Sequence, residues 1–168
     1  ERFAITDYLT GIYNIRYFYN RIEEEFSRAS RYHLPLSCIM FDIDHFKVIN
    51  DTYGHRVGDI VLREFARIVK MHTRRSDVFA RYGGEEFILL LPQTPEKGAV
   101  AEAERLRKSV NEHKFNVIKR KINIAVSVGI ACYPHKEIKN FDDLINAADN
   151  AMFIAKNRGR DQVVVNPS

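Results

Sequence analysis

The sequence predicts an α+β fold, an α/β sandwich in which a central, mostly antiparallel sheet is flanked by helices. Three observations carry this. Short apolar runs of strand length alternate with longer stretches whose apolar residues recur at helical spacing. Two of the runs, 78–82 and 87–91, are joined by Gly83-Gly84-Glu85-Glu86, the shape of a hairpin. The order strand–helix–helix–hairpin–helix–strand–helix–strand contains a ferredoxin-like core.

Each element has its own signal. Phe18, Ile22, Phe26 and Ala29 form an apolar stripe along a helix over 17–31. Pro35 opens the run Leu36 to Asp42, which reads as a buried strand. A short helix follows over 45–53, and Gly54 and Gly58 punctuate it. Ile60, Val61, Phe65, Ile68 and Val69 give a helix over 59–72. In the hairpin, Gly83-Gly84 permits the positive φ that tight turns use. Residues 95–111 form a third long helix. Residues 121–131 read as one long strand, with 115–119 pairing before it. The last helix covers 141–157, and 162–165 closes the chain as a strand.

Length and composition bound the function. The 168 residues are 45% apolar and 29% charged, which suits one globular domain over 1–168 and excludes disorder. Cys38 and Cys132 make no disulfide framework and no CxxC zinc motif, so a reducing, cytoplasmic setting is expected. Nothing approaches the ~20 apolar residues of a membrane span. The chain begins at Glu1 rather than Met, which suggests a domain excised from a longer parent. The net charge of +4 is mild and interspersed. It suits an anionic ligand but is weak evidence for nucleic acid.

Four groups could carry chemistry. Asp42 ends an apolar strand, where a carboxylate costs several kcal/mol to desolvate unless it is paired or binds a cation. Asp44, two residues on, falls on the same face, or else caps the next helix. Glu85 and Glu86 are adjacent acids at the hairpin tip, solvated turn residues unless a cation lies nearby. Asp42 with Glu85 would suit Mg²⁺, which takes one or two carboxylates plus substrate phosphates. The backbone N–H groups of His45, Phe46 and Lys47 start a helix and could bind an anion. Lys47 adds charge there, or is an ordinary exposed lysine. Finally, Lys156 to Arg160 follows the last helix. Gly159 fits a helix C′ position and the basic residues suit the dipole, while Lys156 and Arg160 could also clamp phosphate.

Taken together these residues resemble the GGDEF domain of diguanylate cyclases. Gly83-Gly84-Glu85-Glu86-Phe87 is the GGEEF form of the name motif. Asp7-x-Leu9-Thr10-Gly11 with Asn14 and Arg16 resembles the family's N-terminal signature. The segment from Phe41-Asp42-Ile43-Asp44-His45-Phe46-Lys47 through Asn50-Asp51, Gly54-His55 and Gly58-Asp59 resembles its substrate segment. Ser127-Val128-Gly129-Ile130-Ala131 and Ala148-Asp149 through Lys156 and Gly159-Arg160 resemble its C-terminal ones. Ile15 departs from the pattern, standing where the first of two arginines is common.

The resemblance implies a palm-like fold, as in nucleotidyl cyclases, and condensation of two GTP molecules into cyclic di-GMP and pyrophosphate. It implies two Mg²⁺ ions, with Mn²⁺ as an alternative, held by Asp42, the Ile43 carbonyl and Glu85. Glu85 would activate the 3′-hydroxyl, and Glu86 would have a supporting role near the metals or that hydroxyl. Asn50 and Asp59 would read guanine, since an Asp accepts from both N1–H and the 2-amino group. The backbone at His45, Phe46 and Lys47, the turn at Gly83 and Gly84, and the side chains of Lys156 and Arg160 would hold the phosphates. Two domains would face each other as a homodimer under an N-terminal regulatory domain. Membrane contact and nucleic-acid binding are not expected of this domain, even where its parent is membrane-anchored.

Arg74-Arg75-Ser76-Asp77 matches the family's RxxD inhibitory product site as Arg74 and Asp77, with Arg105 as its secondary arginine. Arginine suits bidentate contacts with guanine and phosphate. Without that register the segment reads as a basic helix end. Two other functions compete: a non-catalytic receptor for GTP or cyclic di-GMP, and a single-strand RNA binder. The RNA reading wants aromatics on the sheet face, and Phe79 with Phe87 are too sparse.

Overall fold

The structure, a computed structural model, describes residues 2–167. Thirteen elements follow in order: α1 (Arg2–Ile5), α2 (Ile15–Tyr32), β1 (Leu36–Ile43), α3 (Phe46–Tyr53), α4 (His55–Met71), β2 (Val78–Arg81), β3 (Glu86–Pro92), α5 (Glu96–Glu112), β4 (Phe115–Val117), β5 (Arg120–Ile122), β6 (Val126–Tyr133), α6 (Phe141–Asn157) and β7 (Gln162–Val165). The main sheet runs β2-β3-β1-β6-β7. All its pairs are antiparallel except β6–β7. The first four strands have the ferredoxin-like order, and β7 adds a parallel edge.

β1 is the centre, and all eight of its residues are buried. Its side chains alternate between two layers. Ile39, Phe41 and Ile43 join α4 and α5 on one face. Leu36, Cys38 and Met40 join α2 and α6 on the other. Burial on both faces is why this strand reads as an unbroken apolar run. Asp42 continues the second series and so points to the α6 side.

Glycine sets one contact that matters for the site. A Cβ at Gly129 would collide with Met152 N and Ala148 O of α6. Its absence lets the α6 backbone lie directly on β6. Lys156 is one turn beyond Met152, so this close approach brings its ammonium over the end of β1.

The structure departs from the sequence reading in places. The helix expected over 59–72 begins at His55, so Asp59 lies inside its first turns. The long strand over 121–131 is broken. Residues 120–122 pair with 115–117 in a separate two-stranded sheet, and the main-sheet strand starts at Val126. The apolar spacing carries on through Ile122, Ile124 and Val126, but Ile118 and Lys119 take positive φ and fold 120–122 back on 115–117, and residues 123–125 separate that hairpin from the main sheet. α1 was not foreseen, because four residues give no periodicity. Residues 6–13 then wrap the outer edge of the sheet. Tyr13 N donates to Phe79 O and Arg81 N donates to Tyr13 O, which covers the exposed strand β2.

Candidate active site

Three acids converge where β1 ends. Asp42 is 2% exposed and lies in register between Glu86 of β3 and Ser127 of β6. Glu85 is tied in by its backbone, whose carbonyl accepts from Ile43 N at 3.2 Å. The Asp42 carboxyl is within hydrogen-bonding reach of both Glu85 and Glu86. Lys156 Nζ meets Asp42 Oδ2 at 3.0 Å, with the lysine side chain 29% exposed.

Burial raises the proton affinity of Asp42, and Lys156 offsets this only in part. Burial also raises Glu85, and the neighbouring Asp42 charge adds to it. Glu86 is raised in the same way, with Asp149 as a further acid beside it. One ammonium therefore faces an excess of acid, and a cation would relieve it. Asp42, Glu85 and the Ile43 carbonyl could offer two carboxylates and a carbonyl to a divalent ion, with the remaining positions left to phosphate and water.

The hairpin turn does not use glycine as expected. The positive-φ glycines are Gly11, Gly54 and Gly159, and neither Gly83 nor Gly84 is among them. The loop is closed by Tyr82 N and Gly83 N, both donating to Glu86 O. A Cβ at Gly84 would meet nothing within 4 Å. What glycine provides is an open backbone face for close approach.

Arg81 was missed in the sequence, and it organises this turn. Its Nε donates to Gly83 O at 3.2 Å and its Nη2 to Gly84 O at 2.7 Å. Its Nη1 lies 3.4 Å from both Asp7 oxygens. Asp7 Oδ2 also accepts from Thr10 N and Thr10 Oγ1. An arginine two residues before the paired glycines, with an acid in an ordered upstream motif, was the available signal.

α3 begins at Phe46 after His45 in the left-handed conformation (φ 57°), and no side chain caps it. Asp44 is therefore not the cap. It accepts instead from Ser127 Oγ and Asp161 N. The Phe46 ring is buried in the core, so only its backbone faces outward. Lys47 pairs with Asp51 on its own helix at 2.8 Å, both exposed. Asn50 Oδ1 is buried with no hydrogen-bond partner. A Cβ at Gly58 would collide with that oxygen, so Gly58 of α4 makes room for Asn50 beside Asp59.

After α6, Gly159 takes the C′ position at φ 111°, and Arg160 N donates to Ala155 O, closing the helix. Arg160 Nε is buried without a partner. Arg74, Asp77 and Arg105 lie apart from these groups. β2 separates Asp77 from the hairpin turn, about 13 Å at ~3.3 Å per residue. The Asp77 side chain is 2% exposed and accepts from Arg74 N, Nε and Nη2, so it orients the arginine. Arg74 is 55% exposed. Arg105 Nη2 reaches His72 O at 3.3 Å, beside the same loop.

Residues 4–162 match the family model described as "Diguanylate cyclase, GGDEF domain". The chain belongs to the GGDEF family. It is 41% identical over 163 residues to diguanylate cyclase A of Treponema denticola, covering 95% of this chain and 44% of that protein. The chain spans less than half the length of the curated relatives it matches. The GGDEF domain of DgcB from Caulobacter crescentus, solved with cyclic di-GMP, superposes with a TM-score of 0.93 at 30% identity, covering 98% and 94% of the two chains. The structure described as the active GGEEF domain of a diguanylate cyclase from Vibrio cholerae gives 0.86 at 34% identity, covering 92% and 97%.

Proposed function

We propose that this GGDEF domain is itself a diguanylate cyclase. It takes two GTP molecules and joins each 3′-oxygen to the other's α-phosphorus. Each new O–P bond replaces the bond to pyrophosphate, giving cyclic di-GMP. The observation that carries this is the cluster of buried Asp42 with half-buried Glu85 and Glu86 against Lys156, set beside an uncapped helix start.

Asp42, Glu85 and the Ile43 carbonyl would hold two Mg²⁺ ions, or Mn²⁺ in their place. Bound there, the ions would acidify the ribose hydroxyl and neutralise charge building on phosphate. Glu85 takes the hydroxyl proton, and its raised proton affinity suits it to that task. Glu86, beside Asp42, supports the reaction near the ions or the attacking hydroxyl. Asp59 accepts from the guanine N1–H and 2-amino groups, and the unpartnered Asn50 Oδ1 gains a donor. The backbone of His45, Phe46 and Lys47, with the open Gly83-Gly84 turn, Lys156 and Arg160, holds the phosphates.

Each domain holds one GTP, so catalysis needs a homodimer facing across the two substrates, brought together by regulatory segments of the parent. Cyclic di-GMP binds back at Arg74, with Asp77 holding that arginine in place and Arg105 assisting, and limits the rate. No helix among the described residues is long and apolar enough to cross a membrane.

The deciding experiment is product analysis. The domain is incubated at high concentration with GTP and Mg²⁺, both free and fused to a dimerising coiled coil. Cyclic di-GMP that disappears in Glu85→Ala, with that variant still folded, is the expected result. GTP left unconverted by the fused dimer would overturn the reading in favour of a binding module.

A further inference from the structure

Asp44 is the acid that the proposed chemistry leaves unused. It is 7% exposed and both its oxygens are taken. Oδ1 accepts from Ser127 Oγ at 2.6 Å, and Oδ2 accepts from the backbone N–H of Asp161 at 2.9 Å. The second bond reaches the loop between α6 and β7.

That loop is strained. Gly159, Arg160 and Asp161 have φ of 111°, 65° and 46°, three left-handed residues in succession. Glycine adopts this region freely, but arginine and aspartate do so at a cost. Such a run persists only where the surroundings over-determine it. Here Asp44 grips it from the inside. From outside, Arg107 Nη1 of α5 donates to Asp161 Oδ1 at 2.8 Å and Asn111 Nδ2 to Asp161 Oδ2 at 3.3 Å. Gln162 Nε2 donates to the carbonyls of Arg158 and Arg160, both at 3.0 Å. The residue held at the middle of this frame is Arg160, whose Nε is buried and unpartnered.

We propose that Asp44 is a positioning residue: by holding Asp161 N–H it locks the left-handed loop that aims Arg160 at the terminal phosphates of the nucleotide. This rests on the reading above that the site takes GTP. Asp44 acts as a hydrogen-bond acceptor, not as a cation ligand. An asparagine therefore serves almost as well, accepting from Asp161 N through Oδ1 and donating to Ser127 Oγ through Nδ2.

Calorimetric Kd values for GTP and GMP in Mg²⁺ test this on the whole domain. Asp44→Ala is expected to weaken GTP tenfold or more and GMP no more than twofold, because GMP lacks the phosphates that Arg160 would reach. Asp44→Asn is expected to stay within threefold of wild type for GTP. Unchanged GTP affinity in Asp44→Ala overturns the proposal, as does equal weakening of GTP and GMP. Asn failing as badly as Ala would assign the acid to a cation instead. Arg107→Gln loosens the same loop from its exposed side without touching the core, so it decides the matter should Asp44→Ala not fold. A threefold or greater loss confined to GTP supports the proposal, and no loss overturns it. A wild-type domain that binds no GTP removes the functional reading and this inference with it, whereas GTP bound equally by wild type and Asp44→Ala removes this inference alone.

Discussion

Asp42 shows how burial becomes chemistry at the scale of one residue. Its carboxyl and those of Glu85 and Glu86 bind protons more tightly in the folded domain than in the unfolded chain, chiefly because burial disfavours their charge. The sign follows from linkage. As pH rises from the ordinary carboxylate range, about 4, through the raised folded values, stability is lost. A cation offsets that loss, and protons compete with it. Mg²⁺ at ten times its Kd should therefore stabilise the domain at pH 7.5 by about 1.4 kcal/mol. Scanning calorimetry should register a rise of about 3–6 °C in Tm. The increment should shrink toward pH 5 and vanish in Glu85→Gln. An increment independent of pH would contradict the assignment of these acids as the cation's ligands. Arg74 is a separate case, because Asp77 already holds it and its exposed side faces solvent. Arg74→Ala should leave the initial rate within about twofold while raising the concentration of added cyclic di-GMP needed for half inhibition by tenfold or more. An unmoved inhibition curve would place product binding elsewhere.

At the scale of elements, the site depends on how closely α6 lies on β6. Gly129→Ala puts a methyl group against the backbone at Met152 and Ala148, which cannot turn aside as a side chain could. Overpacking of this kind costs about 1–3 kcal/mol. The expected outcome is a Tm lower by several degrees, with turnover falling more than tenfold as Lys156 moves away from Asp42. Full turnover at a reduced Tm would show that the lysine's placement tolerates the shift. Nothing in the sequence disclosed this contact, since a strand glycine signals only that some backbone comes near. The strands and long helices were legible because period 2 and period 3.6 are properties of local sequence. The acids were legible because carboxylates in or beside apolar runs are conspicuous. Arg81 was not, and neither was the role of Asp44, because what defines each is a partner distant in sequence, Asp7 for one and Asp161 for the other. The break of the expected long strand was hidden for a related reason. Ile118 and Lys119 carry no turn chemistry, and their positive φ follows from the β4–β5 pairing.

At the scale of the whole molecule, the acids and Lys156 open on one end of the sheet. Gly84 is exposed there and its missing Cβ has nothing within 4 Å. Electrostatic stabilisation of a phosphoryl transfer is strongest where water is excluded, and an open edge does not exclude it. A second copy facing the first would close both sites at once and bring the attacking hydroxyl that a single bound GTP lacks. The acid limb of stability belongs to a different place. Glu64 is pulled down to about 2, mainly by Arg67 and further by His113, which links α4 to the end of α5. That contribution is complete above the ordinary Glu value and fades as pH falls toward 2, well below where the dimer would work. Turnover assayed near neutral pH would thus read association rather than acid unfolding. Specific activity should rise in proportion to protein concentration while monomer dominates and level off once dimer does. The coiled-coil fusion should be concentration-independent at the plateau value. Specific activity that is constant over a hundredfold dilution of the free domain, with monomer alone seen by sedimentation, would mean that one chain completes the reaction and would end the two-chain mechanism.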